Sequence, residues 1–295
     1  MAKKILVIGS INVDYTLYLP HFPLEGETLQ GYERKRAVGG KGANQAVAAK
    51  RAGADVAFLC AIGPDDDGDY LFSALQKEGL SNSGQVLQET ETGNATIFVD
   101  GRGQNEIVII AGANGKLDSA ILEQKIEFIE SSDLFVLQNE IPEKSNEIVI
   151  EQAYQRGKIV LYNPAPFRPI PESLYPKITY LTPNETELFH LTGTKDERKG
   201  AEVLLNKGVA SVLVTLGSRG SYYRDRKGEF FCPATPVTVI DSVGAGDTFM
   251  GYFSAMIAEG EDVSSAMRIA SKAASISVTR KGALPSIPYR EEVLD

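Results

Sequence analysis

Strand-like and helix-like segments alternate along this chain almost from end to end. A parallel sheet with helices on both faces satisfies that pattern, and an all-α or all-β fold does not. Lys4 to Gly9 reads as a buried strand, Gly42 to Gly53 as an Ala-rich helix closed by glycine, Val56 to Ile62 as a strand and Asp67 to Glu78 as a helix. Further strands are expected at Leu134 to Leu137, Ile159 to Tyr162, Ile178 to Leu181, Val212 to Leu216 and Val237 to Ile240. Helices are expected at Pro142 to Gln155, Glu185 to Leu191 and Glu197 to Asn206. Two regions, residues 15–36 and 92–111, break the alternation with short β-like runs such as Asn94 to Val99 and Glu106 to Ile110, separated by an Asp100-Gly101 turn. They are expected to form a small antiparallel sheet that projects from the parallel one and can cover a ligand crevice as a lid. No repeat or linker divides the 295 residues, so the expectation is one α/β domain over 1–295.

Composition narrows the function classes. A net charge of −9 repels polyanions and argues against nucleic acid as a partner. No apolar run approaches the roughly 18–20 residues of a membrane helix. Two cysteines, Cys60 and Cys232, build neither a disulfide framework nor a four-cysteine zinc site, which fits a reducing cytoplasm. With only His21 and His190 available, both expected to be structural, general acid or base work falls to a carboxylate or lysine.

In open α/β sheets ligands bind outside the carboxyl ends of the strands. Polar or glycine-rich segments stand at five such ends: Asn12 and Asp14, Asn139 and Glu140, Asn184 to Glu187, Gly217 to Gly220, and Asp241 to Asp247. Within the last, Gly244-Ala245-Gly246-Asp247 opens a helix whose apolar face is marked by Phe249, Phe253, Met256 and Ile257. Small residues there leave backbone N–H groups free for an anion, and the helix dipole adds positive potential. Asp247 is then either an N-terminal cap or a general base for a hydroxyl attacking a phosphoryl group held at those N–H groups. A second cluster, Gly39-Gly-Lys-Gly-Ala-Asn44, lacks P-loop spacing. It is either a flexible turn before the Ala-rich helix or a place where a polyol meets the backbone, with Lys41 and Asn44 as donors.

With both glycine motifs in view, the chain resembles the ribokinase-like carbohydrate kinases from Gly9-Ser-Ile-Asn-Val-Asp14 to Val278-Thr-Arg-Lys-Gly-Ala-Leu-Pro-Ser286. The resemblance implies a Rossmann-like three-layer sandwich with a β lid, often paired with the lid of a second subunit. It also implies transfer of the γ-phosphoryl of ATP to a sugar hydroxyl, here expected to be O5 of D-ribose, with 2-deoxyribose or a nucleoside as the rival acceptor. A silent sugar-binding protein is the rival from another class, disfavoured by the intact Gly244 to Asp247 segment. By the resemblance Asn12, Asp14, Gly40, Lys41, Asn44 and Glu140 hold the sugar, Asp247 is the base, and Gly244, Ala245 and Gly246 form the anion hole. Asn184 and Glu187 organise Mg²⁺ and phosphate, while Thr215, Gly217, Gly220 and Ser271 lie at the nucleotide. A K⁺ site is implied at Asp241, Val243, Ser277, Arg280, Gly282 and Ser286.

Overall fold

The computed structural model describes residues 3–80, 85–87 and 89–294. The chain begins with β1 (Ile5–Ile8), β2 (Asn12–Tyr18), β3 (Glu33–Gly39), α1 (Lys41–Arg51), β4 (Val56–Leu59) and β5 (Ala61–Ile62). It continues with α2 (Asp66–Lys77), β6 (Gln85–Val86), β7 (Asn94–Val99), β8 (Asn105–Ile110), α3 (Ser119–Gln124) and α4 (Ile126–Ser131). Next come β9 (Leu134–Leu137), α5 (Glu143–Gln155), β10 (Ile159–Tyr162), β11 (Tyr180–Leu181), α6 (Glu185–Thr192) and α7 (Glu197–Asn206). The last elements are β12 (Ser211–Thr215), β13 (Gly220–Asp225), β14 (Glu229–Pro233), α8 (Ala245–Glu259), α9 (Val263–Ser277) and α10 (Arg290–Leu294).

Eight strands form the central sheet in the order β14-β13-β12-β11-β10-β9-β1-β4. Every pairing from β12 to β4 is parallel, and the β12–β13 and β13–β14 pairs at one edge are antiparallel, so β13 alone of the eight runs against the rest. Both faces are covered, so the middle strands are continuously apolar rather than alternating. In β1, Ile5 and Val7 join a core shared with α1, α8 and α9, while Leu6 and Ile8 join the core on the opposite face. Among the described residues no helix is long and apolar enough to cross a membrane.

The two irregular segments form a separate four-stranded sheet, β3-β2-β7-β8. Its hairpin pairs are antiparallel as expected, but the central β2–β7 pair is parallel because both segments leave the body in the same direction. Two further expectations need correction. Val56 to Ile62 is interrupted at Cys60: β4 stays in the central sheet, and β5 turns away to pair with β6. Val237 to Ile240 is no strand but an exposed segment touching the body through the Ile240 N–H on the Val278 carbonyl at 2.7 Å. Pro233 and Pro236 lack the N–H groups that would extend pairing along the β14 edge, so the chain leaves the sheet there.

Candidate active site

The chain leaves β1 into the small sheet and returns through Gly39 and Gly40 to start α1, which brings the first two polar clusters together. Asp14 packs so closely on Gly39 that a Cβ there would lie 2.1 Å from its Oδ2, which is why this position holds glycine. Burial, with the Glu140 carboxylate adding to it, pushes the Asp14 carboxyl up to about 7. Glu140 accepts from the Lys41 backbone N–H at 2.9 Å and from the Ser10 hydroxyl. Asn12 is fixed by Asn114, whose Nδ2 donates to Asn12 Oδ1 at 2.7 Å and to the Ile11 carbonyl at 3.0 Å. The Lys41 ammonium is held above its usual range mainly by the charge of Asp247, against the opposing effect of its own burial.

Helix α8 starts at Gly244, a left-handed N-cap with φ 75° and no side-chain cap bond. Asp247 is therefore not the cap of this helix. Its carboxylate, 7% exposed, turns toward α1 instead. There Asn44 Nδ2 donates to Oδ2 at 3.1 Å and Gln45 Nε2 to Oδ1 at 2.9 Å. Asn44 Oδ1 is buried with no protein partner, an acceptor suited to a ligand hydroxyl. At Gly246 an added Cβ would meet nothing within 4 Å, so the backbone here faces open space. A cleft of about 440 Å³ runs past Lys41, Asn184, Glu187, Thr215, Gly244, Gly246 and Asp247.

A second cleft of about 450 Å³ shares Thr215, Gly217, Ser242 and Gly246 with the first and continues past Gly220, Val237, Phe249, Ser271 and Val278. The two clefts adjoin, the first lined by more polar groups around Asp247 and the second by more apolar ones around Phe249 and Val278. Asn184 and Glu187 form a capping box at α6: Glu187 N–H donates to Asn184 Oδ1 and Asn184 N–H to Glu187 Oε2, each at 2.8 Å. Burial raises the Glu187 carboxyl against the lowering effect of the Asn184 bonds.

Beside these clefts the loop bearing Asp241 and Val243 meets the turn after α9. Asp241 Oδ1 accepts from Val243 N–H at 3.0 Å and Oδ2 from Gly282 N–H at 2.9 Å. The Ser286 hydroxyl donates to the Ala283 carbonyl at 2.6 Å. The Ser277 carbonyl already accepts the Arg280 N–H at 3.0 Å, and the Arg280 guanidinium pairs with Glu292. Asp241, Val243 and Gly282 are thus joined directly, whereas Ser277 and Arg280 are engaged in the turn.

Sequence reasoning missed Gln45, Gln138 and Asn163, which stand behind Asp247. The signal was present for two of them: Gln138 directly follows β9 and Asn163 directly follows β10, at the strand ends where ligand residues are sought. Asn114 and Ser10, which brace Asn12 and Glu140, were missed as well.

The sequence matches the pfkB family carbohydrate kinase profile over residues 2–290. A ribokinase of Haemophilus influenzae is 40% identical, with 100% of this chain and 98% of the relative covered. A deoxyribokinase of Salmonella typhi is 38% identical over 98% of this chain and 96% of its own. The structure of Arabidopsis thaliana ribokinase complexed with ribose and ATP matches at a TM-score of 0.94 and 33% identity, covering 100% of this chain and 98% of that one. With a shared architecture, a carboxylate at an open helix start and a family match across nearly the whole sequence, this chain belongs to the pfkB family of carbohydrate kinases.

Proposed function

We propose that this kinase transfers the γ-phosphoryl group of ATP to O5 of D-ribose, giving ribose 5-phosphate. The observation that carries the reading is Asp247, a buried carboxylate whose two oxygens are each held by an amide at the start of a helix with open backbone. Asn12, Asp14, Gly40, Lys41, Asn44 and Glu140 surround the sugar side, and the Asn44 Oδ1 accepts one of its hydroxyl protons. Asp247 takes the O5 proton, late in a loose transition state, while the N–H groups of Gly244, Ala245 and Gly246 and the Lys41 ammonium stabilise charge on the moving group. Thr215, Gly217, Gly220 and Ser271 line the nucleotide end.

Among the described residues no group of three or more His, Cys, Asp or Glu side chains stands ready to hold a metal ion. That fits Mg²⁺, which keeps several waters and arrives on nucleotide phosphates. Asn184 and Glu187 would hold it through water, and it would supply neutralising charge to the phosphates. The Asp241 loop, with Val243, Gly282 and Ser286, would take K⁺ and so stiffen the backbone leading into Gly244. Equal rates in potassium and in a large organic cation at constant ionic strength would remove that site from the reading. The small sheet is read as a lid that closes over the sugar and pairs with the lid of a second copy. ATP as co-substrate and the free thiols of Cys60 and Cys232 fit a cytoplasmic setting.

The 38% identical deoxyribokinase makes 2-deoxyribose the specific rival. The polar groups at Asn12 and Asn44, both buried, and at Asp14 and Glu140, both half-buried, favour ribose, because a missing hydroxyl leaves such groups unpaired. A coupled ADP-release assay should give kcat/KM for ribose at least about tenfold above 2-deoxyribose, the low end for a hydrogen-bonding site softened by water. Equal efficiencies would overturn the ribose assignment.

A further inference from the structure

We propose that Gln45 is a positioning residue for the catalytic carboxylate, kept in its working orientation by Gln138 and Asn163. The inference rests on Asp247 being the base. Gln45 is 0% exposed, and its amide is committed on every side. Nε2 donates to Asp247 Oδ1 at 2.9 Å and to Asn163 Oδ1 at 3.2 Å, while Oε1 accepts from Gln138 Nε2 at 2.7 Å.

The direction of this chain is forced from its far ends. Asn163 Nδ2 donates to the Thr182 backbone carbonyl at 2.9 Å, which can only accept, so Asn163 must offer its oxygen to Gln45. An ionised Asp247 also accepts only. Both neighbours therefore demand the NH₂ end of Gln45, and Gln138 supplies the donor that its carbonyl end needs. A flipped Gln45 amide would set oxygen against oxygen at two contacts and NH₂ against NH₂ at the third, all inside the core. Gln138 is itself 0% exposed and wedged against Gly9, where even a Cβ would lie 2.0 Å from its Oε1. Gln138 and Asn163 follow directly on β9 and β10, so the base is tied to the middle of the central sheet.

Asn44 grips the other oxygen of Asp247 but also has a buried Oδ1 with no protein partner, so, unlike Gln45, it is left with an acceptor that a ligand hydroxyl can engage. The bonds of Gln45 are all internal. They hold the carboxylate in one direction whether or not the sugar is present, which is the preorganisation that a proton acceptor needs.

The test uses Gln45→Met and Gln138→Met, straight side chains of similar length without an amide, with the acceptor among ribose, 2-deoxyribose and a nucleoside that the parent protein turns over fastest. Gln45→Met should lower kcat about tenfold or more and Gln138→Met about threefold, with KM for the acceptor within about twofold in both. The double variant should fall no further than Gln45→Met alone, because Gln138 acts through Gln45. In the ligand-free protein the Gln45 side-chain amide NMR signal should move on Asp247→Asn and on Gln138→Met. A parent-like kcat in folded Gln45→Met, independent effects in the double variant, or an unmoved amide signal would each overturn the inference. If Asp247→Asn abolishes turnover while Gln45→Met does not, the base reading stands and this one falls; unimpaired turnover in Asp247→Asn removes both.

Discussion

Asp247, buried, and Asp14, half-buried, are two carboxylates with different surroundings. Amide donors meet both oxygens of Asp247, whereas Asp14 lies beside a second carboxylate, Glu140. Replacing Asp247 by Asn keeps the volume and removes the proton acceptor, so kcat should fall by at least about 10²-fold, the usual contribution of a placed base, with sugar binding retained. Steady-state kinetics on the folded variant checks it, and near-parent turnover would exclude the role. Asp14 gives a pH signature. Folded, it keeps its proton to about pH 7, whereas the solvated group loses it near 3.8, so the native state binds more protons across that window. Its contribution to stability is therefore present below about pH 4, is lost as pH rises to 7, and is flat above. Asp14→Asn should make the ligand-free protein more stable at pH 8 by about 1–3 kcal/mol, with little gain at pH 4. The charged form is the better acceptor of sugar hydroxyls, so KM for the sugar should rise as pH falls from 8 to 6 and lose that slope in the variant. Melts and kinetics at these pH values that show no such dependence would contradict the assignment.

At the scale of elements, the site depends on how closely α8 lies on α1. A Cβ at Gly251 would come within 2.3 Å of Ala48 Cβ and 2.6 Å of the Gln45 carbonyl, so the glycine sets the spacing between the helix bearing Asp247 and the helix bearing Asn44 and Gln45. Gly251→Ala should cost about 1–3 kcal/mol by overpacking and should also lower kcat, because forcing the helices apart lengthens the amide contacts to Asp247. Thermal melts and turnover measured together distinguish this from a purely structural change; a destabilised protein with unchanged kcat would separate packing from catalysis. The same elements explain what the sequence disclosed. Strands β9 and β10 and helix α7 are bounded where apolar runs meet Pro, Gly or charge, and the glycine motifs marked α1 and α8 directly. Strands β13 and β14 escaped notice and β3 was covered only as far as Arg36 by the expected small sheet, since β3 reads Glu-Arg-Lys-Arg and β14 lies at the sheet edge, so neither needs a buried run. Val237 to Ile240 misled for the opposite reason, being β-branched without an edge to pair with. Gln45, Gln138 and Asn163 were illegible as a group because residues far apart in sequence meet only once the sheet is formed.

At the scale of the whole molecule, the small sheet is the part that the body leaves least covered. Its edge strand β8 carries Ile107, Val108, Ile109 and Ile110 at 49–56% exposure, on both faces of the strand. An exposed apolar edge strand invites pairing with another chain. The lid reading therefore predicts a dimer by sedimentation, and Val108→Lys with Ile110→Lys should shift it toward monomer; a monomeric parent protein would end that proposal. The close seat of α8 on α1 has one more consequence, and it concerns biosynthesis. The proposed base sits at position 247 and the amides that hold it at 44 and 45, so about two hundred residues must be added after those amides before the two can meet. Until then Ala43, Ala46, Val47 and their neighbours on α1 lack the helix that buries them. A nascent chain that has made α1 but not yet α8 thus carries this apolar helix face bare and lacks the carboxylate proposed as the base, and such uncovered apolar surface is where aggregation can start during synthesis.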